Sequence, residues 1–322
     1  MAVDGAVFRG SARGWPHGRH QGVTVGEPLS WHHQAEITQA LAGFKRGEGP
    51  HTLSDLSFAN VYLFRQAHQY RYLGGAWPCL QGVAYDGQRT VLPLFDVAQA
   101  PHPVLQALQG EAGAVFFPVA ESQLRGLSAA QCQWHASRDD ADYVYPADQF
   151  RQYAGSGLHS KRNLVRQLLD AGEVRATPYS VDLATEAQRV LHDWMRVKGK
   201  PAGDADELPC LEALQHADRL GLQGYLYHVQ NQVAGFVLAE SLAPGVWVMR
   251  FAKGMDHFKG IYQYMFQHVC LATPTLQWLN FEQDLGLPNL RQTKLSYQPA
   301  LLLPKYRLRL SHLAQDSMSQ PA

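Results

Sequence analysis

Apolar and polar positions recur along this chain with two periods, and the switches between them mark short strands and helices. Residues 1–29 mix Gly, Arg, His and Pro with no periodicity and are expected to form a tail. A helix is predicted over residues 31–44, and a Ser/Asp-initiated, aromatic-rich segment follows at 53–65 (LSDLSFANVYLFR). Strand patterns at 78–85 and 90–95 flank Asp86-Gly87-Gln88, a hairpin turn. A helix at 104–108, a strand at 114–119, a helix at 121–130 and a strand at 131–136 complete a mixed first half. After the polar break Ser137-Arg138-Asp139-Asp140 come a strand at 143–145, helices at 147–153 and 158–171, a strand at 173–179 and a helix at 185–198. A loop at 199–207 (GKPAGDADE) leads to a helix at 209–220. Strands at 223–229 and 233–239 around Gln230-Asn231 form a second hairpin, followed by a strand at 246–252, a helix at 259–271 and a strand at 276–281.

Composition narrows the function classes. The chain has 322 residues, so two domains are expected, with boundaries at 30–138 and 139–313 and a second tail at 314–322. Its 28 basic and 28 acidic side chains cancel, so attraction to nucleic acid or anionic membrane requires a local patch. No run approaches the ~20 apolar residues of a membrane span, and the N-terminus lacks the apolar core of a signal peptide. A cytoplasmic location is the expectation, and Cys79, Cys132, Cys210 and Cys270 are expected as free thiols. The 15 histidines include no His-x-x-x-His pair, and His32 and His33 would diverge on a helix, so no metal site is expected. Gly-x-Ser-x-Gly, P-loop and Rossmann fingerprints are absent, and no cofactor is implied.

Chemistry concentrates in four segments. In residues 278–297 (WLNFEQDLGLPNLRQTKLSY), continued strand alternation would place Asn280, Glu282 and Asp284 on one face. That face lies at the carboxyl end of a strand, with Arg291 and Lys294 beyond the Gly286–Pro288 turn. Carboxylates opposite cations can deprotonate an amine or hydroxyl while an acyl oxygen is held, or can form an ion-pair network closing the sheet. In residues 157–166 (GLHSKRNLVR), with Ser156 as N-cap, His159, Lys161 and Arg162 fall in the first turns of a helix. Positive charge is disfavoured there unless an anion binds, the alternative being a solvated basic face. Residues 251–263 (FAKGMDHFKGIYQ) pass from strand to helix through Gly254 and Gly260. Finally, Arg291, Lys294, Lys305, Arg307 and Arg309 occur between residues 285 and 315 without an acidic side chain, a field for a polyanion or a solvated edge.

Hairpin, strand, helix, strand in the second half is the element order of the acyl-carrying core of the Gcn5-related N-acetyltransferase fold. Acetyltransferases of that fold present a Gly-rich strand-to-helix turn to the coenzyme A pyrophosphate. Here only Gly260 is retained, with Tyr262 where a small residue is expected and Phe258 adding bulk, which argues against acetyl-CoA.

Residues 54–65 (SDLSFANVYLFR), 142–145 (DYVY), Lys161-Arg162-Asn163 and Gly235-Phe236 resemble the C-terminal catalytic domain of phosphatidylglycerol lysyltransferase and its soluble bacterial relatives. So do Lys253 with Lys259-Gly260-Ile261-Tyr262, the run from Asn280 to Tyr297 that includes Ser296, and Pro304-Lys305-Tyr306. The resemblance spans about residues 30–310 in order. It implies an α/β chain of two tandem Gcn5-related N-acetyltransferase-like domains with mixed sheets, working mainly through the second. It also implies an aminoacyl-tRNA donor. Under that resemblance Glu282 or Asp284 is the base or ammonium anchor, Arg291 and Lys294 face the acyl carbonyl or terminal phosphate, and Lys161 and Arg162 face the tRNA backbone. The lipid-modifying enzymes carry a membrane-embedded portion ahead of this domain that this sequence does not show, so the acceptor is expected to be an amine, a peptide or a lipid reached at a surface. Two alternatives are an acetyl-CoA-dependent N-acyltransferase and a non-catalytic module that binds an amino acid, a lipid head group or RNA.

Overall fold

The structure is a computed structural model that describes residues 26–44, 49–110, 113–203 and 206–311. In chain order, β1 (Glu27–Pro28) is followed by a 3-10 turn (Trp31–His33), α1 (Gln34–Ala42), α2 (Phe58–Leu63), β2 (Arg71–Leu73), β3 (Cys79–Val83) and β4 (Arg89–Pro93). Next come α3 (His102–Gln109), β5 (Val115–Val119), α4 (Glu121–Leu124), β6 (Cys132–Ala136), β7 (Asp142–Pro146), α5 (Ala147–Gln152) and α6 (His159–Ala171). The chain continues through β8 (Val174–Pro178), α7 (Ala184–Val197), α8 (Glu207–His216), β9 (Leu222–Val229), β10 (Gln232–Ala243) and β11 (Val246–Gly254). It ends with α9 (Ile261–Ala272), β12 (Trp278–Asn280), α10 (Pro288–Leu295), β13 (Leu301–Leu303) and β14 (Tyr306–Leu310).

Among the described residues the strands form two seven-stranded mixed sheets, one in each of two compact units. The larger unit comprises residues 49–67 and 138–304, with strand order β13-β7-β12-β11-β10-β9-β8. Long apolar runs in β9, β10 and β11 pair antiparallel, and α9 crosses over to set β12 parallel to β11. Side chains of α5, α6 and α9 share one apolar cluster with these strands, centred on Phe150, Phe266 and Tyr297. The smaller unit comprises residues 26–44, 68–137 and 305–311, with order β1-β2-β3-β4-β5-β14-β6. The helix α3 there provides the crossover between parallel β4 and β5, and Val91, Phe116, Val119 and Leu308 form its core.

The expected boundaries at 30–138 and 139–313 differ from this division in two places. Residues 49–67 pack with the second half, because Ser54 and Ser57 bond to side chains of β7, β10 and β11. Residues 305–311 pack with the first half, because β14 pairs with β5 and β6. Of the predicted tails, residues 1–25 and 312–322 lie outside the described residues, whereas Glu27–Pro28 pairs with β2. Strands β2, β13 and β14 and helix α10 were not anticipated, and the helix predicted at 121–130 is confined to α4.

Strand β12 positions the polar cluster described below. It pairs with β11 only from Val246–Trp278 to Val248–Asn280, while β11 runs on to Gly254. The two strands therefore part company just past Asn280, the carboxyl-end opening at which open α/β sheets place their ligands.

Candidate active site

A buried guanidinium organises the region beyond β12. Arg250, inside an otherwise apolar stretch of β11, has a fully buried side chain. Its Nε and Nη2 donate to Glu240 Oε2 on β10 at 2.8 and 2.7 Å. Nη2 also donates to the Ser54 carbonyl (2.7 Å) and Ser57 Oγ (2.9 Å), and Nη1 to Asn60 Oδ1 (3.1 Å) and Glu282 Oε1 (2.5 Å). A charge taken out of water is tolerated only with this degree of pairing. Beside it, Asp142 on β7 accepts from Ser54 N and Oγ, both at 2.9 Å, and from Asn280 Nδ2 at 3.0 Å.

Glu282 is the member of this cluster that reaches the surface. Asn280 Oδ1 accepts its backbone N–H at 2.7 Å, and its φ of +58° lies in the left-handed region, which a residue other than glycine adopts only when its surroundings impose it. That turn ends the strand alternation, so Glu282 and Asp284 do not share a face. The Glu282 side chain keeps 23 % exposure against none for Arg250. Burial pushes its carboxyl above the ordinary range, despite the opposing pull of Arg250 and Lys294. Lys294 is itself buried and donates from Nζ to the Glu282 and Gln283 carbonyls, pinning this turn to α10.

Asp284 goes elsewhere. Fully buried, it accepts from Arg291 Nε (2.7 Å) and Nη2 (2.9 Å), from Tyr143 Oη (2.5 Å) and from Gly286 N (2.9 Å). Burial alone would raise its pKa, but the bonds from Arg291, Tyr143 and Gly286 together hold it below the ordinary carboxylate value. Arg291 also donates to Asp139 Oδ1 at 2.6 Å. This arrangement has the form of the ion-pair network that closes the sheet, and both oxygens of Asp284 are engaged within it.

The remaining sequence candidates are distributed over several environments. Lys161 Nζ donates to Ser296 Oγ (2.7 Å) and lies 4.2 Å from the centre of the Tyr297 ring, and burial lowers its pKa. Tyr297 is buried, its hydroxyl accepting from Gln263 Nε2 at 2.9 Å. Arg162 donates to the Tyr153 carbonyl, and Asn163 contacts the His159 ring. Helix α6 begins at His159 with Leu158, not Ser156, at the N-cap, and its first turn carries no acidic residue. Lys253 is buried against the Trp194 ring and donates to Asp206 at 2.7 Å, while Lys259 is exposed.

Gly260 has φ +91°, and a Cβ there would lie 2.1 Å from the Leu164 carbonyl oxygen, so the glycine lets α9 meet α6. Tyr262 Oη accepts the Gly254 N–H (3.0 Å) and the Trp194 indole N–H (3.0 Å) and donates to the Gly254 carbonyl (3.2 Å). The strand-to-helix turn is thus closed by side chains.

The basic C-terminal stretch is not a continuous surface field. Lys305 is fully buried, and Arg307 is buried and paired with Asp86 at 2.7 Å, while Arg309 is exposed. Arg250, Glu240, Ser54, Ser57, Asn60 and Asp142 were not among the sequence-predicted site residues. The signal was present, since a lone Arg in VWVMRFA and a lone Glu in VLAES, both strand runs, must find partners.

No curated protein matches the chain by sequence. Several solved structures share its fold, three of them as follows. A conserved protein of unknown function from Bacteroides thetaiotaomicron has TM-score 0.74 and 21 % identity, over 90 % of this chain and 100 % of that one. The C-terminal domain (DUF2156) of a candidate lysylphosphatidylglycerol synthetase from Agrobacterium fabrum has TM-score 0.61 and 12 % identity, over 87 % and 92 %. L-PGS from Bacillus licheniformis has TM-score 0.59 and 13 % identity, over 88 % and 92 %. The two mixed α/β units are the expected tandem Gcn5-related N-acetyltransferase-like architecture. The family model for the C-terminal part of phosphatidylglycerol lysyltransferase matches residues 47–309, which supports an enzyme of the acyltransferase kind. By that match this chain belongs to the phosphatidylglycerol lysyltransferase C-terminal family.

Proposed function

We propose that this protein transfers an aminoacyl group from aminoacyl-tRNA to an amine or hydroxyl acceptor, with Glu282 as the proton acceptor. The observation that carries the reading is Glu282 itself, a part-exposed carboxylate in a constrained backbone conformation, anchored on a buried arginine where β11 and β12 diverge. The acceptor's lone pair attacks the ester carbonyl and its proton passes to Glu282. The tetrahedral intermediate then collapses by releasing the terminal ribose oxygen of the tRNA, which takes up the proton held by Glu282 and so regenerates the carboxylate. An aminoacyl ester is already activated, so positioning and one proton transfer are the main demands on the protein. A carboxyl raised above its ordinary pKa is the stronger base for that step.

Lys294 is a positioning residue in this scheme, and Asp284 with Arg291 braces the turn that carries Glu282. His159, Arg162 and Arg166 on the exposed side of α6 form the basic surface assigned here to the tRNA backbone, with Lys161 at its edge. An aminoacyl-tRNA donor is preferred to acetyl-CoA because Tyr262 and the Gly260–Leu164 contact occupy the strand-to-helix turn. The acceptor class includes a lipid head group.

Charged tRNA offered with amine and lipid acceptors, with ester loss followed in time, tests the reading. Glu282→Gln is expected to lower turnover by about 10²–10⁴-fold, the usual worth of a general base. Unchanged turnover in that variant removes Glu282 from the role. Tight calorimetric binding of coenzyme A reverses the choice of donor, and ligand binding without turnover leaves a binding module.

A further inference from the structure

The smaller unit holds a second polar constellation, separate from Glu282. At its start, Glu27 on β1 faces His32 and His33 in the following 3-10 turn. On an α-helix neighbouring side chains point about 100° apart, which is why the sequence suggested divergence. Here the two rings tilt together with centroids 3.8 Å apart. Each Nε2 lies 3.7 Å from the same oxygen, Glu27 Oε2. Those separations are within ion-pair reach and longer than an ordinary hydrogen bond, so one carboxylate oxygen is shared loosely between two imidazoles. One donor atom from each falls within 4.8 Å of the others.

Ser30 orients both rings from behind. Its Oγ contacts His32 Nδ1 at 2.7 Å, and its N–H donates to His33 Nδ1 at 3.2 Å. The Nε2 atoms are left directed at the carboxylate. His33 is buried and packs on the Tyr72 ring at 4.8 Å, while the His32 and Glu27 side chains are 67 % and 76 % exposed. The constellation is therefore anchored on one side and open to water on the other.

We propose that Glu27, His32 and His33 form a site for a divalent d-block cation, zinc in the first instance, bound through both Nε2 atoms and the carboxylate with water in the remaining position. Zinc bonds of about 2.0–2.2 Å in tetrahedral array set ligand atoms about 3.3–3.5 Å apart, a contraction of a few tenths of an ångström from the His–Glu spacing seen here. The three donor atoms lie within 4.8 Å of one another, so the exposed carboxylate and the exposed His32 ring both move in towards the metal. Two imidazoles with one carboxylate is a donor set suited to zinc, cobalt, nickel or copper rather than magnesium or calcium. A neutral ring ligated at Nε2 carries its proton on Nδ1. For His32 that proton goes to Ser30 Oγ, the outer contact that fixes a metal-binding histidine. For His33 it displaces the Ser30 N–H bond, so the site is moderate in strength and binding releases the start of the turn.

Titration of the full chain with zinc chloride by calorimetry, and with cobalt(II) by visible absorption, tests the proposal. One equivalent is expected to bind with a micromolar dissociation constant, and tetrahedral cobalt bands are expected to appear. Glu27→Gln and His32→Ala, both at exposed side chains that the fold does not need, are each expected to weaken that equivalent by tenfold or more. The chain has other histidines, so the substitutions locate the metal. Binding unaltered in both variants, or no saturable binding by the parent chain, overturns the proposal.

Discussion

Two carboxyls separated by one residue in the sequence are shifted in opposite directions from the ordinary carboxylate value. Glu282 is raised by burial, so it favours the folded state when protonated, and that contribution fades as pH climbs from the ordinary carboxylate value through its raised one. Asp284 is lowered, because the Arg291, Tyr143 and Gly286 bonds outweigh burial. Its contribution is complete above the ordinary carboxylate value and disappears as pH falls through its lower folded value. Asp284→Asn should therefore lower the urea midpoint at pH 7 and flatten the loss of stability that sets in as pH falls below the ordinary carboxylate value. Urea unfolding at several pH values reads the difference, and equal acid sensitivity in parent and variant would show that the Arg291 pair does not anchor this turn. The contrast also separates roles. The saturated carboxyl contributes stability, while the strained, part-exposed one lowers stability near neutral pH, a cost that fits the role proposed for it.

At the scale of elements, the hairpins, the strand–helix alternation and the α9 crossover were legible because period-2 and period-3.6 burial leave plain traces in apolar residues. Helix α10 was not, since PNLRQTKL buries only Leu290 and Lys294 and reads as a polar loop. Strand β14 was hidden for the opposite reason. Its basic residues suggested a solvated edge, whereas Arg307 is neutralised by Asp86 and Leu308 and Leu310 are core. The charged character of the Glu282-to-Lys294 segment was legible from its residue types, but its partner Arg250 lies 32 positions upstream of Glu282 and no local pattern links them. One element junction rests on a single missing methyl group. Gly260→Ala would place a Cβ 2.1 Å from the Leu164 carbonyl at φ +91°. Left-handed strain alone costs about 1–3 kcal/mol, and α6 must also shift away from α9. A clear fall in melting temperature is expected, and because α6 carries Lys161 and Arg162, the tRNA binding proposed above should weaken with it. An unchanged melting temperature would mean that the two helices do not depend on that contact.

The whole molecule is assembled from non-contiguous chain. Residues 49–67 give the larger unit Ser54, Ser57 and Asn60, three of the residues that satisfy Arg250. Residues 305–311 give the smaller unit β14, which lies between β5 and β6 in its sheet. Cutting the chain at the sequence-predicted boundary therefore damages a unit by chemistry, not by length. A fragment starting at residue 139 retains Arg250, Glu240 and Glu282 but loses the Ser54 carbonyl, Ser57 and Asn60, and a buried charge that loses partners costs about 3–5 kcal/mol. A chain ending at Pro304 keeps the whole larger unit but removes β14 from the smaller sheet, exposing the ladder edges of β5 and β6 and emptying the core positions of Leu308 and Leu310. Hydrogen exchange on that shortened chain should show amides of β9, β10 and β11 still protected while those of β3, β4 and β5 exchange rapidly. Native-like protection in both sheets would contradict the assignment of β14 as a structural member of the smaller unit. Loss of protection in both would show instead that the larger unit cannot hold its buried arginine cluster when the smaller unit is unfolded.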